Sequence, residues 1–415
     1  MTIAARDSAE QPDTDEELTS KRDVIAAHEP RNIVVLAVHQ IILRSAWVFK
    51  TETVIMPAFL DMIAGPGWLR GCLPMLNRFG QSVPPMFFAA RLRNAKYKKR
   101  VLFMTSVSMG VPFVVMAVGW FASADKRAGW LPAAFLGVYS LFFMATGLNQ
   151  LTFGTVQGKL IRPDRRGRLM SFSGVVGSVI SIIAAWFLLR RWLDAGELGF
   201  AYIFAFTGLG MIVAGGAALG VVEPPDAADG RQRRPIDHLH SAWRVFRDDA
   251  DFRRVGVVAI SFISLQLLFP HFQALGRERL ELKSDGFQLM LWVVAQNAAV
   301  GLLSLLSGTI ADRFGNRLAL RLQVFAASLT PLVAMAIVNG WLGDGRRLFW
   351  LTFCLLGLVP VTLKTLINYS LELAEPARHP RYVSTLSFCL FVPMLLAPGV
   401  GWLIDLFGFG AVFVA

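Results

Sequence analysis

Cysteine is scarce. Only Cys72, Cys354 and Cys389 occur in 415 residues, all inside apolar stretches and none at metal-ligand spacing, so neither a disulfide framework nor a zinc site is supported. Charge is scarce too: Asp, Glu, Lys and Arg make up 17% of the chain against 54% hydrophobic residues, where a soluble domain carries about 25% charged residues. That balance excludes a water-soluble globule. Acidic side chains are outnumbered, 29 against 41 Lys and Arg, which leaves a net charge of +12. The excess cations lie in short loops between apolar runs and not on one basic face, so no nucleic-acid partner is expected. No nucleophile elbow, phosphate-binding glycine loop or metal cluster is present, so the expectation is no enzyme, no cofactor and no bound metal. A cationic start followed by an apolar core is missing as well. The first 31 residues, with Asp7, Glu10, Asp13, Asp15, Glu16 and Glu17, read as a polar tail and not as a cleaved leader.

What the chain has in abundance is apolar length. Eleven segments, at 32–60, 64–90, 101–123, 130–158, 169–189, 199–222, 255–275, 287–310, 318–340, 348–371 and 383–404, approach or exceed the roughly 20 residues that carry a helix across about 30 Å of hydrocarbon. Helices are expected because the backbone must bond to itself there. A twelfth segment starts near Phe409 and stops at Ala415, as in a truncated sequence or an unusual ending. The expectation is an all-α integral membrane protein: a tail at 1–31, a six-helix half at 32–222, a linker at 223–254, and a second half at 255–415 with five full spans and the start of a sixth.

Loop charge sets the orientation. The loops at 91–100, 159–168, 223–254, 311–321 and 372–382 hold 23 Lys and Arg residues, and the loops on the other side hold nine. By the positive-inside rule the amino terminus is cytoplasmic, in a cell (inner) membrane. Within the linker, HSAWRVFRDDADFRR can form an amphipathic helix whose Trp243, Phe246 and Phe252 meet the bilayer while arginines meet anionic head groups. The halves also echo one another. Pro163, Arg165, Arg168 and Ser171 recur as Pro376, Arg378, Arg381 and Ser384 at a constant offset of 213, as parallel repeats would.

Between the eighth and ninth segments stands GTIADRFGNR, with Gly308, Asp312, Arg313, Gly315 and Arg317 at the spacing G-x-x-x-D-R-x-G-x-R. This resembles the inner-loop signature of the major facilitator superfamily, and PDRRGR at 163–168 is similar to the loop after span four in many members. The resemblance implies two six-helix bundles and a conformational latch: Gly308 for close helix approach, Asp312 for a cap or charge pair, Gly315 for a tight turn, Arg313 and Arg317 at head-group level. The loop after span two, AARLRNAKYKKR, lacks the aspartate and the glycine. Span five carries SGVVGSVISI without the proline found in drug-proton antiporters, so drug antiport is not inferred.

Polar residues inside the segments are the site candidates, since a charge at a helix centre costs on the order of 2.5 to 3.5 kcal/mol. Arg44, Trp47 and Thr51 stand on one face of the first segment, Arg44 being the strongest candidate for meeting an anionic group. An interhelical ion pair or snorkelling are its other readings. Lys50 and Glu52 are expected to snorkel to the outer interface. Arg70, Asn77 and Gln81 form a stripe on the second segment, and Lys364, Asn368 and Glu372 one on the tenth. Because spans one, four, seven and ten line the pathway in the superfamily, the resemblance favours Arg44, Asn149, Gln150, Gln266 and Lys364, with interhelical hydrogen bonding the competing role for each amide. Glu52 and His271 are the candidates for coupling to a proton or sodium ion. The expected function is a secondary transporter of a small solute. The alternative is a non-transporting protein of the same fold that binds a hydrophobic molecule or a membrane partner and assists assembly.

Overall fold

A backbone surrounded by hydrocarbon must satisfy its own polar groups, and every regular element among the described residues is helical. The computed structural model describes residues 15–226, 243–282, 286–375 and 378–414. Among the described residues, ten helical segments are long and apolar enough to cross a membrane. An eleventh, Gly67–Arg93, is as long as the others but less apolar, because Arg70, Asn77, Arg78 and Gln81 interrupt it. The eleven segments coincide with the apolar runs read from the sequence.

Four differences appear at the ends and breaks. The first helix begins at Asp15, within the expected tail, and runs through Pro30 to Trp47. Its Glu29 is buried and accepts from the Arg162 backbone N–H (2.9 Å) and from Arg165 Nη1 (3.0 Å), so these turns are tied to the start of the fifth span. Secondly, the first span is interrupted: helix ends at Trp47, a 3-10 turn covers Val48–Lys50, and helix resumes at Ile55–Ile63. Thirdly, the expected amphipathic linker helix is broken at Asp249, whose backbone is extended. Its carboxylate instead caps the seventh span by accepting from the N–H groups of Asp251 (3.0 Å) and Phe252 (2.9 Å). Phe252 is therefore core, while Trp243 stays 64% exposed. Finally, the last helix turns sharply at Gly408 (φ 76°), and Phe413 packs back on Phe272 of the seventh span. Residues 1–14 and 227–242 of the expected tail and linker lie outside the described residues.

The apolar core is continuous at one end of the molecule and divided at the other. The largest cluster joins Phe59, Phe113 and Phe204 of the first half to Trp292, Phe353 and Phe413 of the second, at the end opposite the linker. Towards the linker there are separate clusters, one around Leu36, Phe153 and Val156, the other around Phe252, Leu366 and Tyr382. Glycine permits close approach between the halves: a Cβ on Gly401 would lie 2.2 Å from the Gly67 carbonyl oxygen, and one on Gly71 2.2 Å from that of Ala397.

At the linker end, charge ties the chain leaving the sixth span to its own half. Glu223 accepts from the Lys98 and Lys99 backbone N–H groups (3.0 and 2.8 Å) at a helix start and from Lys159 Nζ (2.8 Å). Asp226 pairs with Lys98 and Lys159. Burial pushes the Asp226 carboxyl up, but the two ammonium groups prevail and hold it below the usual carboxylate range.

Glu223→Ala, which removes a fully buried carboxylate from three donors, is expected to lower stability by about 3–5 kcal/mol, measured by unfolding in detergent. Asp226→Asn is expected to lower the melting temperature at neutral pH. The Asp226 contribution is complete above the unfolded carboxyl pKa of about 3.9 and is lost as pH falls through the lower folded value. The gap between variant and wild type should therefore narrow as pH falls below the unfolded value; a gap that does not narrow there would contradict the ion-pair account.

Candidate functional site

The interruption of the first span places two charges inside the bundle. Lys50 is fully buried. Its Nζ donates to Glu52 Oε1 at 2.6 Å and lies 3.5 Å from the Trp47 ring centroid and 4.8 Å from those of Phe142 and Phe143. A carboxylate and three aromatic faces thus replace its hydration shell. This corrects the expectation of snorkelling: with helix broken after Trp47, residues 50–52 fold inward against the fourth span. Thr51 donates to the Val48 carbonyl (3.0 Å) and shares no continuous helical face with Arg44.

Glu52 also accepts from Asn77 of the second span, and Asn77 in turn from Gln81. Next to them Arg78 donates through Nε (3.3 Å) and Nη2 (2.9 Å) to Gln266 of the seventh span. Thr53 donates to Gln296 of the eighth. Both contacts cross between halves. Further from the linker Asp61 pairs with Arg70 and, at 3.8 Å, with Arg277 of the second half. Asp405 accepts from the Gly67 N–H at 2.8 Å, so a carboxylate of the eleventh span caps the second. Asp61, Thr53, Gln296 and Asp405 thus join the halves. Asp61 and Asp405 each lie one residue past the expected ends of the first and eleventh segments, at 60 and 404, and the helices continue through both.

The remaining candidates fall in three places. Asn149 is buried within the first half, donating to Thr105 Oγ1 (3.1 Å) and Ser106 Oγ (2.8 Å) of the third span, while His39 Nε2 lies 3.1 Å from the same Ser106 hydroxyl. Arg44 is half-buried beside Gly177 of the fifth span. Gln150, Lys364 and Asn368 are exposed. Glu372, on the Lys364 stripe, accepts from Asn316 at 2.5 Å and not from Lys364. His271 is fully buried, and neither ring nitrogen has a hydrogen-bond partner among the described residues.

In the GTIADRFGNR stretch, Gly315 adopts φ 85° and ends one helix one residue before the next begins at Asn316, the tight turn its motif position implies. Asp312, Arg313 and Arg317 are exposed, and Asp312 makes no ion pair among the described residues. A Cβ on Gly308 would meet nothing within 4 Å, so no close helix approach occurs there in this state.

A family pattern described as Major Facilitator Superfamily matches residues 80–370. A comparison with curated proteins finds no match. Among solved structures, the chain is similar to the nucleoside transporter NupG at 12% identity, covering 92% of this chain and 95% of that one with a TM-score of 0.71. It is similar to a POT family transporter in complex with 5-aminolevulinic acid at 12% identity, 92% coverage of each chain and a TM-score of 0.66. It is also similar to the xylose transporter XylE from E. coli in a partially occluded inward open conformation, at 12% identity, 94% and 96% coverage and a TM-score of 0.59. At such identities the likeness establishes the fold alone.

Removing one member of a buried ion pair strands the other, at a cost of about 3–5 kcal/mol, whereas replacing both is far milder. Glu52→Gln is expected to destabilise by that amount, and adding Lys50→Met should recover most of the loss. Additive losses in this double-mutant cycle would show that the pair is not coupled.

Proposed function

The chain belongs to the major facilitator superfamily, and from that premise we propose that it is a secondary active transporter moving a small solute across the inner membrane by alternating access. The supporting observation is the uneven closure of the two halves. At the end opposite the linker they share one apolar core and are bridged by Thr53 to Gln296, Arg78 to Gln266, Asp61 to Arg277 and Asp405 to Gly67. At the linker end Glu223, Asp226 and Asp249 bond within their own halves. With the linker cytoplasmic, as the loop charges favour, this is an inward-facing state.

Transport requires the reverse state, in which the bridges part and the linker end closes. Each bridge is a hydrogen bond or ion pair between polar groups, which can be exchanged for water when that end opens. The signature at 308–317 lies at the end that must then close, where Asp312 is free to find a partner. Glu52, bonded to Lys50 and Asn77, is the coupling group we favour, because a proton on its carboxylate would remove the counter-charge of Lys50 and loosen the bridged end. His271 is the second candidate.

Purified protein in liposomes should move a solute down an imposed solute, proton or sodium gradient. Absence of flux for organic anions, sugars, amino acids and nucleosides under all three gradients, with a known carrier active in parallel, would overturn the proposal. Gly401→Leu, which wedges a branched side chain against the Gly67 backbone, is expected to abolish flux and expose the end opposite the linker to thiol labelling. Unchanged flux would show that this contact need not form during the cycle.

A further inference from the structure

We propose that a groove at the end of the fifth span, opposite the linker, binds a phospholipid headgroup in which a phosphodiester is followed by a primary ammonium, as in phosphatidylethanolamine. This goes beyond the transporter reading and does not depend on it.

The fifth span, Pro163–Asp194, changes from α-helix to a π turn over Ala185–Leu189 shortly before it ends. Such turns are rare and frequently mark functional sites. Trp186, Phe187, Arg190, Arg191 and Asp194 of this stretch line a groove of about 430 Å³. Its other flank is the start of the eighth span, Gly286–Phe314. There Phe287 meets Trp186 edge to face, with ring centroids 6.5 Å apart, and lies under the Arg190 guanidinium at 5.3 Å. A Cβ on Gly286 would lie 2.3 Å from Asp194 Oδ1, so the carboxylate rests against the chain that begins this helix. The groove therefore sits on the seam between the two halves.

The charged groups in it have little to satisfy them. Arg191 has no ion pair or hydrogen bond among the described residues. Arg190 Nε stands 3.8 Å from Asp194 Oδ2, beyond hydrogen-bond reach, and both side chains are about half exposed. An exposed pair at that distance contributes little and yields readily to a ligand. One turn nearer the hydrocarbon, Trp186 and Phe187 are 44% and 69% exposed. Aromatic surface beneath cations at the end of a span fits the boundary between acyl chains and headgroups.

That order of groups selects the occupant. Guanidinium groups on adjacent residues match the oxygens of a phosphodiester. Asp194 lies one turn further from the hydrocarbon than Arg190, where an ammonium would follow its phosphate. A primary ammonium donates hydrogen bonds to a carboxylate and a trimethylammonium cannot. An anionic headgroup without the ammonium would meet the arginines but bring a like charge towards Asp194. The aromatic floor favours a lipid over a free phosphate ester, which has nothing to lay on it.

The test is native mass spectrometry and thermal unfolding of the purified full chain in detergent, with dioleoyl phosphatidylethanolamine, phosphatidylcholine, phosphatidylglycerol and soluble phosphoethanolamine as probes. Phosphatidylethanolamine should stay bound and raise the melting temperature, with an apparent affinity about tenfold or more above that of phosphatidylcholine. Phosphoethanolamine at equal concentration should do neither. Asp194→Asn should erase the preference over phosphatidylcholine without weakening phosphatidylglycerol. Replacing Arg190 and Arg191 together by Gln should weaken all three lipids about tenfold or more. Arg191→Lys should retain most of the effect, and Arg346→Gln, in an exposed loop at the same end, all of it. The substituted side chains are exposed, so the variants are expected to fold. The assignment is overturned if phosphatidylcholine or phosphatidylglycerol binds as well as phosphatidylethanolamine, if the preference survives Asp194→Asn, or if lipid binding survives the loss of both arginines. Equal stabilisation by phosphoethanolamine would point to a soluble phosphate ester and overturn the lipid assignment.

Discussion

A charge inside a bundle of apolar helices must find a counter-charge, and much of the interior follows from that requirement. Lys50 shows it most directly. The first span gives up helical hydrogen bonds between Trp47 and Ile55, and the chain there folds so that Glu52 and three aromatic faces enclose the ammonium. Glu52 then draws Asn77, and Asn77 draws Gln81, so one broken helix orders a polar row on its neighbour.

The same requirement brings the halves together at one end. Arg78 has no carboxylate in its own helix and reaches Gln266 of the second half. Asp61 draws Arg277, and Asp405 reaches the N–H groups at the start of Gly67–Arg93. These contacts are polar, directional and few, set in a core whose apolar surfaces also fit closely at Gly67 and Gly401. Apolar packing excludes lipid and water, while the polar contacts select which end is closed. Helices held only by apolar contacts would lack such a selector, since lipid tails are as apolar as leucine.

The sequence by itself determined the number and placement of the spans, because membrane thickness and backbone hydrogen bonding act on any apolar run whatever its neighbours. It also determined the Gly315 turn, where a short motif carries its own backbone demand. Arg44 and Lys364 were legible as candidates because charges are rare in such runs. Only the tertiary structure decided the partners. Whether Lys50 snorkels or is caged, whether Asn149 faces the gap or the third span, and whether Glu372 meets Lys364 or Asn316 depend on residues tens to hundreds of positions away. The break at Asp249 likewise depends on a helix start that needed a cap, outweighing the helical pattern running through 240–254. Periodicity reports which face of a helix is polar. Which helix that face meets is set by packing, and packing is a property of the whole fold.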